Sequence, residues 1–216
     1  MPTGILLSII QAAGWPIWPL LLCSVAALAL IFERAVALRR VRVAPNGLVD
    51  EVLQVLRQGI PSSDVIGKLA ANSTLGALLA SGIRVVAQDP RCSETLLRDA
   101  FEAAGRSAAH QLERYLNALA TIASAAPLLG LLGTVIGMIE IFGSQAPGGS
   151  GSNPAQLAHG ISVALYNTAF GLMIAIPSLM CHRYFRGRVN DYLHDMEQGA
   201  ERVLHHLVRL TSRTVV

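Results

Sequence analysis

Apolar positions are concentrated in three long runs separated by sequence with amphipathic spacing. From Tyr115 to His182, 68 residues carry one formally charged side chain, Glu140. A Gly- and Pro-punctuated loop at 143–153 divides this stretch into Ala123–Phe142 and Leu157–Pro177. Each is about 20 residues, the helix length that crosses ~30 Å of hydrocarbon. The pair predicts a transmembrane hairpin. A third apolar run, Ile17 to Phe32, predicts an earlier membrane helix at about 16–38, with Trp15 and Trp18 as interfacial anchors.

Between these runs the periodicity is helical. Val49, Val52, Leu53 and Leu56, then Leu75, Leu78 and Leu79, fall on helical faces, with breaks at Gly59-Ile60-Pro61 and Asp89-Pro90. Ser93-Glu94 opens a second periodic run through Leu97, Phe101, Ala108 and Leu112, with no breaker before the membrane. Nothing alternates like a strand. The expected fold is therefore all-α: an N-terminal segment 1–15, membrane helix 16–38 and a helical region 39–112. Membrane helix 113–142, extended back to about 93, then the loop 143–153 and membrane helix 154–183 follow, and a C-terminal helix 184–216 completes the chain. Asn153 as cap and Pro154 at the first helical position predict where the last long helix starts.

Composition fits a membrane protein: 52% hydrophobic, 14% charged, mean hydropathy +0.48. Charge adds an orientation. All 17 Lys and Arg lie at 34–42, 57–114 or from 183 onward; the first 33 residues and the 143–157 loop have none. The positive-inside rule predicts an outside N-terminus and hairpin loop, with the middle region and tail in the cytoplasm. Such juxtamembrane arginines suit anionic lipid, not nucleic acid, as the source of the pI near 9.0. The absence of Lys and Arg before Trp15, and Leu21-Leu22 before Cys23, speak against a cleaved or lipoprotein signal.

Other chemical patterns are weak. Gly130, Gly133 and Gly137 lack the strand and Lys of a phosphate loop. His194, His205 and His206 have no Cys or carboxylate constellation, so neither metal nor cofactor is expected. Cys23, Cys92 and Cys181 fall in different compartments, which disfavours a disulfide.

Within the hairpin, Gly130, Gly133, Thr134 and Gly137 on one helix, and Gly160, Ala164, Thr168, Gly171 and Ala175 on the other, form small-residue stripes. These either pack the hairpin together or face a symmetry mate or pore. Thr134 and Thr168 both fall near the middle of their spans. Each hydroxyl either bonds back to a carbonyl one turn earlier or belongs to a polar ring lining a lumen. Pro127 and Pro177, nearer the other end of each span, are candidate kinks. Glu140 lies near the outer end of its helix, at a candidate outer mouth.

The segments 126–138, APLLGLLGTVIGM, and 160–177, GISVALYNTAFGLMIAIP, resemble the signature hairpin of the MotA/TolQ/ExbB proton-channel family, and Glu33-Arg34 fits as well. One helix before the cytoplasmic region, rather than two, resembles the ExbB/TolQ branch. The resemblance implies a homopentamer whose second and third membrane helices ring a pore. That pore would hold the single membrane helices of an ExbD- or TolR-like dimer, and proton flow would power a TonB- or TolA-like protein. It matches Thr134 and Thr168 to pore threonines. Several members carry a Glu where this chain has Val163, so the titrating group is expected in the partner. Two other classes stay in view: a passive envelope anchor, and a membrane enzyme, for which no polar cluster is evident.

Overall fold

A computed structural model describes residues 15–143 and 154–213. They form eight helices and no strand among the described residues: α1 (Ile17–Ala37), α2 (Arg40–Val43), α3 (Leu48–Gln58), α4 (Ser63–Asn72), α5 (Thr74–Gln88), α6 (Glu94–Glu113), α7 (Leu116–Gly143) and α8 (Pro154–Arg213). The all-α reading holds. Three helical stretches are long and apolar enough to cross a membrane: α1, the α6–α7 stretch and α8 from Gly160. α8 starts at Pro154 as predicted; its expected cap, Asn153, lies outside the described residues.

The chain divides into two compact units at Glu33/Arg34, Arg114/Tyr115 and Arg183/Tyr184. The first contains most of α1, all of α7 and α8 as far as Arg183. Several of its hydroxyls bond within their own helix, which suits helices that face lipid. Thr121, Ser124 and Ser162 each donate to the carbonyl four residues back, at 2.9, 3.0 and 2.9 Å. Pro127 and Pro177 sit inside their helices, and Ser178 donates to the Ile174 carbonyl at 2.7 Å beside the second proline. The buried core is small, with Leu20, Ala126 and Ala175 at its centre and Leu129, Phe170 and Ile174 packed around them. Large apolar side chains point outward instead, among them Trp18, Leu22, Phe32, Leu128 and Met173. In the most apolar window of α1 only 17% of residues are buried. So much apolar surface is stable only against lipid or other chains.

The second unit has a conventional core. α4 packs on α5 and α5 on α6, and the fully buried Leu56, Leu79, Ile83, Leu97, Met196 and Leu207 come from α3, α5, α6 and α8. Ser93 caps α6 as predicted, accepting from the Leu96 amide at 3.2 Å. Two breaks depart from the periodicity. Ser73 ends α4 and caps α5, its hydroxyl accepting from the Gly76 amide at 3.0 Å, where the pattern predicts no boundary. The helix expected to run unbroken from Ser93 into the membrane stops at Arg114–Tyr115, with Tyr115 left-handed at φ 65°. A buried cation explains how that break is tolerated. Arg34, 5% exposed, donates from Nη1 to the Leu112 carbonyl at 3.1 Å, a group that the helix end leaves without its usual partner.

Gly82 of α5 lies flat against the Phe101 ring of α6, whose Cε1 would be 2.9 Å from an added Cβ while Cζ and Cε2 would overlap it. Gly82→Ala should therefore lower the stability of this unit by about 1–3 kcal/mol, as core overpacking does. Adding Phe101→Leu should recover part of that loss. Thermal unfolding of the two variants checks it, and equal melting temperatures for Gly82→Ala and the parent would contradict the packing described.

Candidate functional site in the apolar hairpin

α7 and α8 meet through the residues with the least side chain. A Cβ added at Gly171 would lie 2.6 Å from the Ala126 carbonyl oxygen and 3.2 Å from Gly130 Cα. One added at Gly130 would lie 2.8 Å from the Asn167 carbonyl oxygen and 3.0 Å from Thr168 Cα. Gly133 faces the Asn167 side chain, Gly137 faces Ala164, and Gly160 faces Ile141, whose side chain an added Cβ would strike. The contacts climb one helix as they descend the other, so the two small-residue stripes form one antiparallel seam within a single chain. Ala164 and Ala175 are buried, at 3% and 5%. The packing alternative is thus realised for this part of both stripes.

Not every glycine here has the same need. At Gly130 and Gly171 the obstruction is backbone, which cannot turn aside. At Gly137 the nearest atom, Ala164 Cβ, is 3.5 Å away, an ordinary contact.

The two threonines use that seam differently. Thr168 reaches across it, its Oγ1 donating to the Gly130 carbonyl at 3.3 Å. Thr134 Oγ1 donates to the Leu131 carbonyl on its own helix at 2.6 Å. Two hydroxyls from different helices therefore bond to consecutive carbonyls of α7. Both residues are half-buried. Thr134 also borders an outward hollow with Val135, Met138, Ile139 and Phe142. Each hydroxyl has its proton on a carbonyl and its oxygen lone pairs left to accept.

Asn167 escapes the sequence reading. It is 1% exposed, sits beside Thr168, and fills the space left by Gly133, where an added Cβ would be 2.9 Å from its Nδ2. A signal was present: an amide in the middle of an apolar span is costly unless buried against another helix. His182 is a second such residue. Its Nδ1 lies 3.1 Å from the Leu116 carbonyl. A carbonyl only accepts, so that nitrogen carries the proton, and the bond ties the end of this α8 segment to the start of α7.

Pro127 removes the N–H that would reach Ala123, one turn from the Gly171 contact, and Pro177 removes the one that would reach Met173. Pro177 borders a cavity of about 340 Å³ between α1 and α8, lined by Leu20, Ser24, Ala27, Phe170, Ile174 and Ser178 among others. Glu140 and Val163 lie on α7 and α8, with side chains outside the described residues. Among the described residues no three His, Cys, Asp or Glu side chains converge on a metal site. Cys92 is buried in the second unit, and its thiol pKa is pushed up, first by burial and then by Asp89.

This architecture, three membrane-length helices and a glycine seam, defines a multi-pass helical membrane protein. The model of the MotA/TolQ/ExbB proton channel family matches residues 70–198, and the chain belongs to that family. An ExbB-like biopolymer transport protein of Synechocystis is 34% identical over 179 residues, 82% of each chain. Biopolymer transport protein exbB1 of Vibrio cholerae is 31% identical over 170 residues, 78% of this chain and 74% of its own. The Tol-Pal system protein TolQ of Haemophilus influenzae is 33% identical over 105 residues, 47% of this chain and 46% of its own. The family consists of transport and channel subunits rather than enzymes, which sets the enzyme reading aside. The chain is an inner-membrane, multi-pass protein of this kind.

Backbone contact at Gly171 and ordinary contact at Gly137 predict opposite tolerance. Gly171→Ala should loosen the hairpin, with a cost of about 1–3 kcal/mol from forced overpacking. Gly137→Ala should be accepted. Resistance to thermal unfolding in detergent separates them; equal effects would mean that the seam does not hold α7 and α8 together.

Proposed function

We propose that the chain is the pore-forming subunit of a proton-driven motor. Five copies ring a lumen that holds the single membrane helices of an ExbD- or TolR-like dimer, and the proton motive force energises a TonB- or TolA-like envelope protein. The observation that carries this reading is the pair of hydroxyls on consecutive carbonyls of α7. In the middle of an apolar span, such groups serve best where something polar must be solvated. The relatives named for biopolymer transport and for the Tol-Pal system support it.

The proton carrier itself belongs to the partner. Moving one charge through 100 mV is worth ~2.3 kcal/mol, but capturing that energy takes a group that changes protonation within the membrane. The hairpin's one carboxylate, Glu140, lies near the end of its span, and Val163 stands where the family resemblance implies a Glu in several members. Glu140, near the outer end of α7, tunes the outer mouth. Thr134 and Thr168 receive the partner's carboxylic acid: each oxygen accepts from the protonated form, and each hydroxyl turns from its carbonyl to donate to the ionised form.

A passive anchor would not depend on these hydroxyls, so replacing them distinguishes the two readings. Thr134→Val and Thr168→Val together should abolish or strongly reduce proton-dependent activity of the complex while ring assembly and partner binding persist. Thr→Ser at both should retain more. An unpartnered buried polar group costs ~1–3 kcal/mol, which moves the partner's acid by roughly one to two pKa units. Full activity in the double valine variant would leave these residues as packing only.

Orientation is a separate proposal, resting on the one-sided arginines: N-terminus and 143–153 loop in the periplasm, C-terminus in the cytoplasm. In a chain with Cys23, Cys92 and Cys181 replaced, single cysteines at Ser150 and at the exposed Ser107 should label from opposite sides. Labelling of both by an impermeant reagent added outside would reverse the assignment.

A further inference from the structure

The chain just beyond α1 is held in one orientation. Leu38's carbonyl accepts from the hydroxyl of Tyr192 at 2.9 Å, a buried bond, and Arg188 Nη2 donates to the same hydroxyl at 2.5 Å while its guanidinium lies 5.2 Å from the ring centre. Arg40 pairs with Asp195 at 3.6 Å. Val43 and Ala44 are buried at 1% and 4%. With these contacts occupied, the exposed side chains left uncommitted at the α2 turn and its N-cap are those of Arg39, Val41 and Arg42. All three are exposed, and Arg39 and Arg42 form no ion pair among the described residues. Val41 is 79% exposed, far above Val55, Ile60, Val65 and Leu96 of the same unit, which lie between 42% and 48%.

A valine so fully presented between two uncommitted guanidinium groups has no packing purpose within the chain. Its position supplies one. Arg39 is two residues past the end of a helix long and apolar enough to span the bilayer, so the turn falls at the level of lipid headgroups and glycerol backbones. There an apolar tip belongs at the acyl boundary and arginines belong on phosphate.

We propose that Arg39, Val41 and Arg42 form an anionic-phospholipid site: the two guanidinium groups bind the phosphate of a lipid such as phosphatidylglycerol, and Val41 enters the acyl-chain boundary. The pinned backbone makes this a preorganised site rather than a loose basic tail. It depends on α1 spanning the membrane and not on the proton-channel reading.

The test uses the full chain in vesicles of phosphatidylcholine with or without phosphatidylglycerol. Val41→Trp, with Trp15 and Trp18 replaced by Phe, gives a single reporter. Its emission should be quenched by lipids brominated close to the headgroup. Native mass spectrometry of retained lipid should show phosphatidylglycerol enriched on the parent chain. Arg39→Gln and Arg42→Gln should each lower that preference about fivefold, the factor equivalent to ~1 kcal/mol per arginine at a membrane surface. Arg57→Gln, away from this turn in sequence, should leave it unchanged. A reporter that bromine does not quench overturns the proposal, including the case in which a second copy of the chain covers the turn. So does an unaltered lipid preference in the double glutamine variant.

Discussion

Backbone contact between α7 and α8 at Gly130 and Gly171 is the constraint on which the membrane unit depends. Lipid tails are as apolar as leucine, so no hydrophobic force drives two such helices together. What remains is dispersion at close range, together with whatever polar bonds the approach permits. A Cβ at Gly171 would come within 2.6 Å of the Ala126 carbonyl oxygen, so this approach exists only because no Cβ is there. It sets the register of the seam. With Gly130 against Thr168, the threonine hydroxyl reaches the Gly130 carbonyl, and Asn167 falls opposite Gly133, where its amide has space. Replacing either glycine would shift the polar groups as well as the packing.

That register also sets how the two threonine hydroxyls are used. Both threonine protons are already engaged, on the carbonyls of Gly130 and Leu131. Each hydroxyl oxygen keeps lone pairs that can still accept. Donation to a carboxylate requires each hydroxyl to leave its carbonyl, which keeps a helical bond of its own in either state. A backbone carbonyl with two lone pairs tolerates that exchange at low cost. Under the proposed function, such an exchange suits a partner group that alternates between two protonation states.

Much of the fold is legible in the sequence because membrane helices carry a strong signal: length and hydropathy alone locate α1, α7 and α8, and the Ser93 cap and Pro154 locate two helix starts. Of the two missed breaks, the first is a local cap and the second has a tertiary cause. Ser73 reads as one more polar residue between apolar positions until its hydroxyl is seen on the Gly76 amide. Tyr115 has no breaker chemistry, and its left-handed backbone goes with a carbonyl capped by Arg34, 78 residues earlier in the chain. At the site, the glycine stripes and both threonines were readable as small or polar residues at helical spacing. Their assignment to one shared seam was not, because spacing identifies a face without identifying what covers it. Asn167 and His182 were passed over for a related reason: each acts through a single contact on the other helix.

The seam also limits where a lumen could run. Thr134 lies at the edge of an outward hollow on α7, with Val135, Met138 and Ile139 beside it, whereas Thr168 faces inward and bonds to the Gly130 carbonyl of α7. A lumen on the far side of α8 would miss Thr134; one on the exposed leucine face of α7, at Leu128 and Leu132, would miss Thr168. A lumen that reached both hydroxyls would have to open where α7 and α8 meet, because their carbonyl partners are consecutive on α7.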